Sequence, residues 1–408
     1  MPFLALEGVR VLDVSTDIAG PYCAKMLADY GAEVIKVERP GAGDTSRRSG
    51  PFAGGNPHPE KSGLFLHLNR QKKGVTLDFG EPNGAEIFRK LAAQCQVIVE
   101  NGRPGSMEDF GLGYHTLATD HQDLVMTSIT PFGQTGPYKT FQFTELTIFA
   151  MGGAMHREGL PDREPLRYGA EVAQYFTGTV AAAATVTAVF QAAMNGKGEW
   201  IDISMQEGMA GHPHQIGRRL PYIYGGETDP RRPPRLTAAA SREPYAVGTF
   251  RCKDGFVSFL PLGPRMWPNL TRMIERPDLL DVDHYRTSEG RTKFREEIEK
   301  IFQAWFDMHT RAEIFEAGQR EGLPCAPIQT TADALENELF RSRGYFVDLT
   351  HQEAGDLTYT GLPFLYSDVP RSEPTFAPTL GQHNSEVYSE LLGLDEAAIF
   401  ELHQAGVV

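Results

Sequence analysis

The chain has 408 residues, 41% of them apolar and 23% charged, with a formal net charge of -14. That length accommodates two domains with sizeable cores, and the acidic balance argues against a general nucleic-acid binder. No run of apolar residues approaches the roughly 20 needed to span a bilayer, and the start lacks the basic and apolar regions of a signal peptide. Cys23, Cys95, Cys252 and Cys325 are scattered without metal-ligand or CxxC spacing. They read as free thiols, with no metal site and a cytoplasmic setting.

In chain order, Val9–Val14 is a strand, Pro21 opens a helix through Met26, Leu27 and Tyr30, and Gly31 stops it. Strands follow at Val34–Glu38 and Val75–Asp78. A helix beginning near Pro82 carries the stripe Ile87, Phe88 and Leu91. Val97–Glu100 and Leu124–Ile129 extend the sheet. From Glu171 to Ala193 the chain has no Pro, a single Gly and many alanines, which predicts a long helix ended by Asn195-Gly196. Ile201–Ser204 returns to strand. Alternating strands and helices predict an α/β domain with a largely parallel sheet.

Residues 213–249 are dense in Pro, Gly and Arg, and read as a crossing linker. A compact α+β unit is expected over 250–328: a strand at Gly255–Phe259, then helices at Trp267–Ile274 and Phe294–Phe306. The tail, 329–408, with two strand-like runs and a last helix near Ser385–Leu392, is expected to return to the large domain formed by 1–212.

Several motifs carry a resemblance in combination. Gly20-Pro21 is followed by Ala28-Asp29-Tyr30-Gly31-Ala32-Glu33-Val34-Ile35-Lys36-Val37-Glu38-Arg39-Pro40. Further along stand Gln71–Asp78, Val99–Gly105, Gly133–Tyr138, Gly322–Pro327 and Leu380–His383. Together they resemble the class III CoA-transferases, the formyl-CoA and carnitine CoA-transferase family. The resemblance implies a Rossmann-like large domain, a smaller α+β domain and an interlocked dimer. It also implies coenzyme A or acyl-CoA as substrate, with CoA contacts at positions matching Ile18, Arg39, Lys72, Lys73, Asn101 and Arg103. Arg39 and Lys73 suit phosphate best, because charge-assisted pairing is strong there.

The same resemblance assigns a nucleophilic Asp four residues before the Gly that matches Gly178, and Gln174 stands there. The family route runs from Asp attack on a donor thioester through an anhydride to an aspartyl-CoA thioester, so it requires a carboxylate. An amide has no ionisable proton in range and negligible nucleophilicity. Glu171 lies one turn earlier, about 5 Å along the axis if the helix includes it, and is a weak substitute. Racemase relatives pair the Asp with an upstream His, but Thr144 holds that place.

The reading that follows is a non-catalytic subunit of a heteromeric CoA-transferase, resembling the Asp-less subunits of such members. A paralogous Asp-bearing subunit would be the partner, in a heterodimer or heterotetramer. Succinyl-CoA is the expected donor, and an aromatic or dicarboxylic acid such as benzylsuccinate the acceptor. The alternatives are a self-sufficient homodimer using Glu171 and a CoA-ester binding protein without turnover.

Overall fold

The computed structural model describes residues 4–212, 220–228, 231, 248–260 and 266–408. The chain forms two compact units: Met1–Met155 with Arg167–Gly225 and Arg341–Val408, and His156–Leu166 with Gly226–Phe340. Most of the expected crossing linker, 213–249, lies outside the described residues.

The first unit is built on six strands: β1 (Arg10–Asp13), β2 (Glu33–Glu38), β3 (Lys72–Thr76), β4 (Val97–Glu100), β5 (Val125–Thr130) and β6 (Trp200–Ser204). They stand in the order β3-β2-β1-β4-β5-β6, and every pairing is parallel. Helices cover both faces of such a sheet, so its inner strands can be apolar throughout. β4 and β5 are buried along their whole length. The chain direction of the winding reverses beside β1, which opens a crevice at the carboxyl ends of β1 and β4.

Charged groups are buried within this sheet. Asp13 and Lys36 are opposite one another in register on β1 and β2, and both are wholly buried. Lys36 Nζ lies 2.8 Å from Asp44 Oδ2 and 3.8 Å from Asp13 Oδ2, and also donates to the Ser15 carbonyl. Lys72 Nζ reaches Asp13 Oδ2 at 2.8 Å, and donates to the Pro21 carbonyl and Asn69 Oδ1 at 2.9 Å each. Burial pushes the Asp13 carboxyl up, but Lys36 and Lys72 outweigh it and hold the group below its ordinary value. Lys72 is pushed down to about 8 by the same burial.

The outer strand β3 is closed by the tail. Gly74 N donates to His383 Nδ1, Thr76 N to Asn384 Oδ1, and Tyr388 Oη donates to the Thr76 carbonyl at 2.6 Å. A free strand edge is thereby covered by helix Asn384–Leu392. A further helix, Glu396–Gln404, follows the one read as last.

The helix Val172–Asn195 packs its small residues inward: Ala173, Thr177, Gly178, Ala181, Ala182, Thr185 and Ala188 are buried. At Gly178 a Cβ would lie 2.6 Å from the Ala19 carbonyl oxygen, so only glycine permits this approach to helix Ala19–Asp29. Val180, Val186, Phe190 and Met194 are exposed on the same helix. By length and composition this helix is apolar enough to cross a membrane, at a mean hydropathy of 1.3, although Gln174, Gly178 and several threonines interrupt any apolar run.

The second unit contains an antiparallel sheet ordered β7 (Gly248–Cys252), β8 (Gly255–Phe259) and β9 (Cys325–Pro327). Phe250, Phe259, Phe302 and Phe306 fill its core.

Lys36→Met leaves the buried Asp44 carboxylate without its cation and Asp13 with Lys72 alone. The variant is expected to lose about 3–5 kcal/mol of stability, seen as a lowered urea midpoint at pH 7.

Candidate active site

The carboxyl ends of β1 and β4 are joined by Asn101. Its Oδ1 accepts the Thr16 N–H at 2.8 Å and its Nδ2 donates to the Thr16 carbonyl at 2.7 Å. These bonds, with the Lys36 contact to Ser15, fix the loop between β1 and helix Ala19–Asp29. Asp17 lies in that loop with φ +68°, and its N–H donates to Asp44 Oδ1 at 3.1 Å. An Asp tolerates this left-handed conformation better than most residues.

Asp17 opens onto a cavity of about 650 Å³ that it shares with Ile18, Pro51, His67, Glu145, Glu171, Gln174 and Tyr175. Gln174 is in the first turn of Val172–Asn195, 6% exposed, and its side-chain amide favours the ionised form of the Asp17 carboxyl. Burial, reinforced by the charge of Asp44, raises the Asp17 pKa above the usual carboxylate range. The Gln174 side-chain amide opposes that shift.

Glu145 seats the helix that carries Gln174. Its Oε1 accepts the Ala173 N–H at 2.7 Å and its Oε2 the Gln174 N–H at 3.4 Å. These are first-turn donors without intrahelical partners, and a carboxylate there also faces the positive end of the helix dipole. Glu145 itself begins a short helix, Glu145–Met151, capped by a reciprocal Thr144–Thr147 pair. Thr144, at the place of the racemase His, is thus a helix cap. Glu171 is the N-cap residue of the long helix, makes no side-chain capping bond, and lines the cavity half-buried.

An aromatic wall stands beside Gln174. Tyr22 and Tyr175 meet edge-on with centroids 4.9 Å apart, and His67 lies 6.5 Å from Tyr22 and 6.4 Å from Tyr175. Burial, with Lys25 and Arg70 nearby, pushes His67 down to about 4, so its ring is neutral at physiological pH. Tyr175 is pushed up to about 12, chiefly by burial.

The residues expected to contact CoA are divided by the fold. Ile18 lines the cavity and Asn101 stands at the crevice, where it is half-buried. Arg39 projects from the carboxyl end of β2, three-quarters exposed, with Nε 3.6 Å from Asp78 Oδ2. Arg103 is exposed beyond β4 and pairs with Asp109. Lys72 and Lys73 are elsewhere, because β3 begins at Lys72 and not after Lys73. Both therefore belong to the amino end of their strand. Lys72 is wholly internal and spends its ammonium on Asp13, which removes it from any phosphate. Lys73 pairs with Glu33 at the start of β2 and with Glu386. Asp17 and Glu145 had no place in the sequence reading. A charged residue directly before the Ile18-Ala19-Gly20-Pro21 helix start was the available signal for Asp17. Among the described residues no His/Cys/Asp/Glu cluster could hold a metal.

The family model described as CoA-transferase family III matches residues 6–384. A succinyl-CoA:glutarate CoA-transferase of Mus musculus is 34% identical over 404 residues, 99% of this chain and 90% of its own. The beta subunit of a succinyl-CoA–L-malate CoA-transferase of Chloroflexus aurantiacus is 31% identical over 409 residues, covering 99% and 98%. A crystal structure of a CAIB/BAIF family protein from Brucella suis superimposes with a TM-score of 0.83 at 28% identity, over 95% of this chain and 99% of that one.

Two outcomes are expected. Glu145→Ala leaves the Ala173 and Gln174 amides without acceptors and should cost about 1–2 kcal/mol, with faster hydrogen exchange confined to the first turn of the long helix. Glu100, at the end of β4, is pushed up to about 7 by burial, against bonds from Ser128 and the Gly102 N–H. Its folded form holds a proton that the unfolded chain releases near pH 4.3. Stability should therefore fall as pH rises from about 4.3 to about 7 and then level. Glu100→Gln should flatten that slope in urea titrations at successive pH values.

Proposed function

The chain belongs to CoA-transferase family III, and on that premise we propose that it is one subunit of a heteromeric enzyme moving CoA from an acyl-CoA to a carboxylic acid. The observation that carries this reading is the amide at 174, seated in the first turn of the helix where the family resemblance calls for the nucleophile. In this reading the helix position of this chain is non-catalytic, and a paralogous subunit supplies the Asp. The relative named as a beta subunit is support for a heteromer.

Succinyl-CoA is the proposed donor, after the names of the relatives, and an aromatic or dicarboxylic acid such as benzylsuccinate the proposed acceptor. Arg39 and Arg103, exposed beyond the carboxyl ends of β2 and β4, are the proposed phosphate contacts, with Ile18 and Asn101 along the path to the cavity. The exposed Val180, Val186, Phe190 and Met194 on the long helix support burial against the other subunit of an interlocked dimer. Four buried free cysteines suit a reducing, cytoplasmic setting.

A self-sufficient homodimer using Glu171 is the second reading, favoured by the place of that carboxylate on the same cavity. Its displacement from the helix position stands against it, because near-attack geometry is strict.

The test is CoA transfer from succinyl-CoA, assayed with this chain alone and with an Asp-bearing paralogue. Rapid transfer is expected only in the mixture. Changing the partner's helix Asp to Asn should lower the rate about 100-fold or more. Equal rates from this chain alone would sink the heteromer and turn attention to Glu171.

A further inference from the structure

A subunit whose helix position has lost its nucleophile accounts for Gln174 but not for the carboxyl beside it. Asp17 and Gln174 line the wall of one cavity, where the amide favours the ionised form of the carboxyl. Its loop is fixed on all sides: Lys36 holds the Ser15 carbonyl, Asn101 holds both polar groups of the Thr16 backbone, and Asp44 holds the Asp17 N–H. Such restraint on a residue at positive φ is the kind of preorganisation that functional sites show.

We propose that Asp17 is the nucleophile of this chain's own cavity, the carboxylate having moved from the helix to the facing loop while an amide took its former place. The inference rests on the reading that the cavity receives an acyl-CoA, and goes beyond the scaffold role. The two residues compensate each other. An Asp at 174 would set two carboxylates against one another, and like charges at that distance do not both ionise. The Gln174 amide instead donates to Asp17 and favours its ionised form.

The other carboxyls facing Asp17 are committed or unheld. Both Glu145 oxygens accept helix N–H groups, and Glu171 makes no capping bond that would orient it. Asp44 is bound to Lys36 and Ser46. His67 is neutral and offers no competing charge. The raised pKa of Asp17 makes its ionised oxygen more basic.

The chemistry balances without any redox partner. An Asp17 oxygen adds to the thioester carbon, the C–S bond breaks, and CoA thiolate leaves a mixed anhydride. The thiolate then adds to the Asp17 carbonyl carbon and expels the donor acid as its carboxylate. An aspartyl-CoA thioester remains on Asp17. An acceptor carboxylate attacks that thioester and frees the thiolate, which takes the acceptor acyl group and restores Asp17.

The experiment uses the purified full chain, alone and with the paralogue whose helix Asp is changed to Asn. Succinyl-CoA is the probe, borohydride or hydroxylamine the trap, and peptide mass spectrometry the readout, with thioester binding followed by calorimetry. The expected result is an adduct on the peptide carrying Asp17. In Asp17→Asn that adduct should fall about 100-fold or more while binding changes less than about threefold, and thermal melting reports that the variant is folded. Glu171→Gln should keep the adduct. The double variant D17N/Q174D should carry it on the peptide of residue 174. Thioester binding without an Asp17 adduct, or an adduct on Glu171, overturns the proposal and leaves the acyl-CoA reading of the cavity standing. Absence of succinyl-CoA binding to the wild-type complex overturns both.

Discussion

The ammonium of Lys36 is the interaction on which the first unit depends. It lies on β2 with no exposure, faces two carboxylates, and donates to the carbonyl of Ser15 in the loop after β1. A buried cation is costly unless it is paired and its hydrogen bonds are used. Here the partners it needs are the ones that shape the cavity. Asp44 turns its second oxygen to the Asp17 and Ser46 amides, so one carboxylate connects the charged interior with the cavity wall. Packing alone would leave that loop free to slide. The paired charge ties it to the sheet at one register.

That coupling explains why the two sides of the cavity behave differently. The loop side is held from within the sheet by charge. The helix side is held by Glu145, whose carboxylate accepts the two N–H groups that the first turn exposes. Gln174 therefore has a fixed backbone and a side chain directed at a fixed acceptor. An amide in such a place satisfies its neighbour in a way that a second carboxylate would not.

The strands were legible because parallel sheets bury both faces, and continuous apolar runs such as Val97-Ile98-Val99 suit strands covered on both sides. The long helix was legible from its lack of breakers. The start of β3 was not, since Lys72 and Lys73 read as loop cations, whereas the fold makes them the first residues of a strand. Whether a lysine stem turns inward depends on a partner distant in sequence, and Asp13 lies 59 residues away. Asp17 was illegible for the same reason: its meaning arises only when residue 174 is brought beside it. Gln174, by contrast, stood out in the sequence because the surrounding motif specifies what belongs there.

The closure of β3 by the tail has a consequence for synthesis. The strand edge is sealed by His383, Asn384 and Tyr388, from helix Asn384–Leu392 near the end of the chain. While the ribosome makes the roughly three hundred intervening residues, the nascent sheet has an open edge, a template for unwanted pairing. The edge is sealed only once residues 383–388 have been made and pack against β3. Truncation just before His383 would leave that edge open.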